Sequence, residues 1–250
     1  MKKKIAFLAV GIIAGSFTIQ EAGANGVAGP SATAMLDWDT FKILSYDLTG
    51  MATAPTWTWS NQEDSSEAWA GGLTVSDSAN NWSDGTLAEA WGSYAMAMTS
   101  NAQVSSFTSL DLNEAGSVYS WALRSGDLTI SGAGLLVAMV NYSWQVDIAG
   151  SQPGDQSASA SCSISLWDED HTQYGNGYAS GALPFLSEVS RQYSGTIVAG
   201  LNVTDGMIVH MEADTSTNVF ANPVPVPPAL WLLGSGVFAL LAGKRRNSQS

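Results

Sequence analysis

Residues 157–167 read SASASCSISLW, and nothing in the run breaks its alternation. Ala158, Ala160, Cys162, Ile164 and Leu166 fall on one side, and Ser157, Ser159, Ser161, Ser163 and Ser165 on the other. A period of two marks a strand with one buried and one wet face. Residues 134–150, GLLVAMVNYSWQVDIAG, repeat the pattern: Leu136, Ala138, Val140, Tyr142, Trp144, Val146 and Ile148 share one face. Residues 195–213 read as a hairpin about Asp205-Gly206, a dipeptide that tolerates positive φ. Its inward residues are Ile197, Ala199, Leu201 and Val203 on the first arm and Met207, Val209, Met211 and Ala213 on the second, with His210 pointing away.

The first half of the chain is less regular. Trp57 and Trp59 share a strand face, and residues 94–98, 117–123 and 127–130 read as further short strands. Residues 64–70 and 86–91 read as one or two helical turns each. No stretch sustains a helical period. Short strands separated by Gly, Asn, Asp and Ser define a mostly β chain, an antiparallel β-sandwich. By analogy, its order is expected to be a jelly roll. No linker or fixed-period repeat divides residues 25–221, which form one secreted β-sandwich domain. The flat serine face of residues 157–165 is expected to permit side-by-side packing of copies.

Charge narrows the function. Six of the nine Lys and Arg lie in the terminal segments, so only Lys42, Arg124 and Arg191 stand within the body against all but one of the 22 Asp and Glu. Such a surface repels phosphate backbones, which excludes nucleic acid as a partner. The one cysteine, Cys162, leaves no internal disulfide and falls in phase with a buried face.

Both ends carry addressing signals. Lys2, Lys3 and Lys4 precede an apolar run over residues 5–17, and Ala22-Gly23-Ala24 supplies a small-residue cleavage pattern. Residues 1–24 therefore read as a signal peptide handled by the secretion translocon and signal peptidase, with cleavage after Ala24. Residues 222–228 form a Pro-rich spacer. An apolar transmembrane helix follows over residues 229–243, and residues 244–250 form a basic cytoplasmic tail led by Lys244, Arg245 and Arg246. Counted from Pro228, this helix is about 24 Å long at ~1.5 Å per residue, marginal against a hydrocarbon core of ~30 Å.

The tail from Val224 to Gly236, VPVPPALWLLGSG, followed by an apolar run and Lys-Arg-Arg, resembles the PEP-CTERM sorting tail. In that family a Pro-x-Pro motif precedes one hydrophobic helix and a basic end, and an exosortase processes the tail. Here the motif falls on Pro223-Val224-Pro225 or on Pro225-Val226-Pro227, with Pro228 and Trp231 beyond it. Valine replaces the usual glutamate between the prolines. The resemblance implies export, transient anchoring and release to the cell surface or extracellular matrix. It further implies a structural or adhesive role with exopolysaccharide in a biofilm.

Residues able to carry chemistry are few. His171 and His210 are the only histidines, and no nucleophile elbow, zinc motif or phosphate loop is present. No catalytic residue is assigned. Asp168, Asp170 and Thr172 have the spacing of a loop folding around calcium, although Gln173 and Ala179 break the EF-hand pattern. A structural calcium is thus the one candidate cofactor, and a solvated acidic loop the plain alternative. Acids around Asp168 also supply the alternative of a secreted carbohydrate-active hydrolase. Nine tryptophans lie in the body. Tryptophan fills cores, but exposed indoles stack on sugar rings. Trp57, Trp59, Trp82 and Trp167 are the candidate platform for extracellular polysaccharide.

Overall fold

The computed structural model describes residues 29–48, 53–91, 93–110, 115–148, 154–183 and 190–223. Twelve strands run in order: β1 (Ser31–Tyr46), β2 (Thr56–Ala70), β3 (Leu73–Ala79), β4 (Thr86–Ala90), β5 (Tyr94–Thr99) and β6 (Gln103–Ser109), then β7 (Gly116–Ser131), β8 (Gly134–Asp147), β9 (Gly154–Asp168), β10 (Tyr174–Leu183), β11 (Ser190–Val203) and β12 (Ile208–Pro223). They form two six-stranded antiparallel sheets packed as a β-sandwich. The first sheet has the order β11-β8-β1-β6-β5-β4, and the second β10-β9-β12-β7-β2-β3.

The alternating segments behave as their period dictates. Ala158, Ala160, Cys162, Ile164 and Leu166 are buried, as are Leu136 through Val146 at every second position. Burial pushes the Cys162 thiol up to about 12, so it is an inert core group. Alanine supplies much of the interior: Ala32, Ala34, Ala88, Ala90, Ala95 and Ala97 in the first sheet, Ala68, Ala70 and Ala122 in the second. Small side chains there keep the sheets close. Glycine does the same at one edge, where β10 approaches β11. A Cβ on Gly175 would lie 2.1 Å from the Gly200 carbonyl oxygen. At the opposite edge the Asp77 carboxylate accepts the Leu87 N–H at 3.0 Å, covering a backbone donor of the edge strand β4.

Three expectations are corrected. Residues 64–70 are a strand, within β2, and residues 86–90 form β4, with Trp91 in the turn after it. The period of residues 64–70 was hidden by a bulge: pairing of β2 with β7 shifts between Trp59 and Asn61, leaving Ser60 as an extra residue. Odd positions (Trp57, Trp59) face inward before it and even positions (Asp64, Ser66, Ala68, Ala70) after it. Residues 195–213 are not a hairpin. β11 pairs with β8 in the first sheet and β12 with β7 and β9 in the second. The turn closes with Met207 N–H donating to the Thr204 carbonyl at 3.2 Å, and positive φ occurs at Gly206 but not at Asp205. That is the type II pattern, which lacks the twist of a two-residue hairpin and here carries the chain between sheets. The serine face of 157–165 offers no free edge either, since β9 is paired on both sides, to β10 and β12.

Candidate functional site

The structure divides the four nominated tryptophans. Trp57, Trp59 and Trp82 are partly buried and pack against the core with Trp38 and Phe41. Trp59 meets Trp82 edge-on at 4.5 Å, Trp82 meets Trp38 at 5.4 Å, and Phe41 stacks on Trp38 at 4.2 Å. Gly126 makes room beneath them: a Cβ there would lie 2.8 Å from the Trp59 ring.

At the centre of this group stands Arg124, fully buried. Its Nε donates to Asp64 Oδ1 at 2.8 Å and its Nη2 to Asp64 Oδ2 at 2.6 Å. Nη2 also donates to the Trp82 carbonyl at 3.2 Å. The guanidinium carbon lies 4.9 Å from the Trp38 ring centre and 5.3 Å from that of Trp82. A paired, aromatic-flanked cation of this kind is an internal brace joining β1, β2, β7 and the loop before β4.

Trp167 lies elsewhere, on the outward side of the second sheet. One row of cross-strand neighbours there runs Tyr174, Trp167, His210, Asp127, Asn61. The His210 Nδ1 lies 2.6 Å from Asp127 Oδ1. Both histidines flank the indole, with ring centres 6.1 Å (His171) and 5.9 Å (His210) away.

Asp168, Asp170 and Thr172 fall at the β9–β10 turn. One Asp168 oxygen accepts the Gln173 N–H at 2.9 Å and the other accepts the Thr172 hydroxyl. Those bonds hold its carboxyl below the usual carboxylate range, the Gln173 N–H contributing most. Asp170 is exposed. Asp168 therefore braces a turn whose next residue but two, His171, sits at φ 53°. Among the described residues no three His, Cys, Asp or Glu side chains converge as a metal site.

The same outward face holds a second aromatic group that the sequence reading passed over. On β7, Val118, Ser120, Ala122 and Arg124 are buried, so Tyr119, Trp121 and Leu123 point outward, partly exposed. Trp121 lies opposite Glu67 and Tyr119 opposite Trp69 across the β2–β7 ladder. A depression of about 300 Å³ opens beside Trp121, lined by Glu67, Ser65, Ser76 and Ser78. Toward the middle of the sheet, Ser161 and Ser216 hydroxyls bond at 2.7 Å, and the Ser163 hydroxyl donates to Asp214. Burial holds the carboxyls of Asp214 and Glu212 above their ordinary values, Asp214 adding to the effect on Glu212. Burial, with Glu67 and Asp214 nearby, raises the Tyr119 hydroxyl as well. From the Trp167 row to the Trp121 row the face extends about 20 Å along the strands at ~3.4 Å per residue.

The outward side of the first sheet is chemically different. Its paired positions include Met35, Met96, Met98, Leu87, Val137 and Met139.

The signal for Tyr119 and Trp121 was present in the alternation of residues 117–123. It was ambiguous, because the buried alternate carries Ser120, whose hydroxyl is satisfied by Thr217 at 2.8 Å. Residues 1–28 and 224–250 lie outside the described residues, and with them Ala22, Ala24, Pro225, Pro227, Pro228, Trp231, Lys244, Arg245 and Arg246. Pro223, the first proline of the motif, closes β12 opposite Gly154. The chain matches no family model, no curated protein and no solved structure.

Proposed function

We propose that this is an exported cell-surface or extracellular-matrix protein that binds exopolysaccharide through the outward face of its second sheet. One observation carries the reading: Trp121, with Tyr119, Trp69 and Glu67 beside it, borders a serine-lined depression on a flat, wet sheet. Aromatic faces pack on the apolar faces of pyranose rings while hydroxyls and carboxylates take the sugar hydroxyls. Trp167, Tyr174 and Tyr178 supply a second aromatic station on the same face, Tyr174 and Tyr178 being more than half exposed. Two stations suit a polymer, because linked contacts add avidity without requiring a deep pocket.

The route to the surface rests on the sequence. The signal peptide, the sorting motif, the apolar helix and the basic end favour export followed by exosortase processing. A jelly-roll order is favoured by the wrapping of the ladders: β1 and β2 lie beside β8 and β7, and β7 and β8 lie in turn beside β12 and β11. Retention of the body on immobilised exopolysaccharide from the producing cells tests the binding reading, and absence of retention on every exopolysaccharide tried refutes it. Intact mass from cells with and without exosortase tests the route. Loss of the tail only when the enzyme is present is the expected result.

A hydrolase remains the second reading, and it moves from Asp168 to Glu212 and Asp214. These stand two residues apart on the same outward side of β12, and both hold their protons to higher pH than free carboxyls. A proton donor and a neighbouring carboxylate are what addition of water across a glycosidic bond requires. Release of reducing ends that Glu212→Gln abolishes supports it, and no release from a broad glycan panel removes it.

A further inference from the structure

We infer that the depression beside Trp121 selects a cationic amino sugar, a glucosamine-type unit with a free ammonium group, over neutral sugars and uronates. The inference rests on the polysaccharide-binding reading of this face and adds the class of sugar.

Three observations converge. The first is shape and lining. A space of about 300 Å³ bordered by one indole and by Ser65, Ser76 and Ser78 suits a single ring bearing several hydroxyls. The second is the position of charge. Glu67 lies directly across the strand pair from Trp121, and Ser76 is paired to Glu67 on its other side. An ammonium group on a sugar stacked over the indole therefore meets the Glu67 carboxylate and the face of Trp121. A ligand cation over such a ring is attracted by its negative face as well as by the carboxylate.

The third observation is the sign of the surroundings. Asp214 and Glu212 lie further along the same face, where burial holds both carboxyls above the usual range and Asp214 adds repulsion on Glu212. Adding a uronate here brings a further negative charge to carboxylates that already resist ionisation. A bound ammonium relieves the same repulsion. Among the described residues of this side, His171 and His210 lie at the Trp167 end, where His210 is paired with Asp127. Among the described residues, Asp77, whose Oδ2 accepts the Leu87 N–H, is the one charged side chain besides Glu67 that lines the depression.

The test is titration calorimetry of the full secreted body with four soluble probes: a glucosamine tetramer, its N-acetylated counterpart, an oligouronate and a lysine tetramer. The glucosamine tetramer is expected to bind about tenfold more tightly than the N-acetylated one, the scale of one charge-assisted contact. Glu67→Gln is expected to erase that preference while leaving the N-acetylated tetramer within about twofold. Trp121→Ala is expected to weaken both. Asp147→Asn, which removes the same charge from the other sheet, is expected to change neither. Equal affinity for both tetramers, or a preference lost equally in Asp147→Asn, overturns the inference and leaves polysaccharide binding standing. Preference for the oligouronate, or lysine tetramer binding as tight as that of glucosamine, overturns it too. Failure of every sugar to bind overturns the polysaccharide reading itself.

Discussion

Two groups of tryptophans divide this molecule. Trp38 and Trp82 flank the buried Arg124–Asp64 pair, and Trp59 and Trp57 continue the group edge to face from Trp82, all partly buried and packed on the core. Trp69, Trp121 and Trp167 stand on the outward side of the second sheet among serines, carboxylates and histidines. The residue type is the same and the work is opposite. Inside, the indole contributes apolar area and shields a charge that burial alone would make costly. Outside, it offers a flat apolar surface in a polar field. Within strands, phase assigns a tryptophan to one group or the other, and a single extra residue, Ser60, resets that phase midway along β2; Trp82 joins the inner group from the turn before β4.

The sharpest way to break the comparison is to damage the inner group. Arg124→Met leaves Asp64 buried without its partner, which costs about 3–5 kcal/mol for a pair of this kind. Urea unfolding is expected to show that loss. The double variant Asp64→Leu/Arg124→Met is expected to recover most of it, because an apolar pair of similar volume removes both desolvation costs. A single variant as stable as the parent would mean that the pair braces nothing.

Trp59→Ala comes next. It opens space against Trp57, Trp82 and Gly126, with an expected loss of about 3 kcal/mol, at the low end for core tryptophans because the ring is partly exposed. Thermal unfolding checks it. A loss below 1 kcal/mol would place Trp59 functionally with the outer group.

The smallest effect concerns the carboxylates of the outer face. In the folded state Asp214 and Glu212 titrate above their ordinary 3.8 and 4.5. Between those ordinary values and the raised ones, the native chain holds protons that the unfolded chain has released, so stability falls as pH rises through that window. Melting temperature is expected to climb as pH is lowered through that window, and Asp214→Asn is expected to raise it above the window and flatten the climb. Asp168 acts in the opposite sense, since its carboxyl is held low. The stability it contributes is lost only as pH falls below 3.8 through its folded value. A melting temperature that falls steadily as pH is lowered toward the ordinary 4.5 and 3.8 would contradict the placement of Asp214.

How much of this was legible in the sequence follows the same division. Where one face is uniformly apolar, as in residues 134–150 and 157–167, period alone located strand, face and the buried Cys162. It failed where the interior is polar or small. Asp64, Ser66 and Ser120 are interior, so their strands do not look half-greasy, and the bulge at Ser60 made residues 64–70 look helical. The turn at Asp205-Gly206 was recognised but not its type, because only dihedral angles distinguish a hairpin from a crossing between sheets. Trp167 was placed outward correctly by phase. Trp57 and Trp59 share a face as read, but that face is inward, and the groups Trp59 packs on there, Trp82 and Gly126, lie more than twenty and more than sixty residues away in the chain and could not be inferred from spacing. Trp121 was missed because an aromatic alternating with serine suggests a buried aromatic face, and here the serine is the buried one.

The central claim is that binding resides in the outer tryptophans and stability in the inner ones. Its most direct test measures melting temperature and retention on exopolysaccharide side by side for Trp121→Ala and Trp59→Ala. The account predicts that Trp121→Ala melts near the parent and loses retention. It also predicts that Trp59→Ala melts well below the parent yet retains the polysaccharide while folded. Full retention by Trp121→Ala would contradict it.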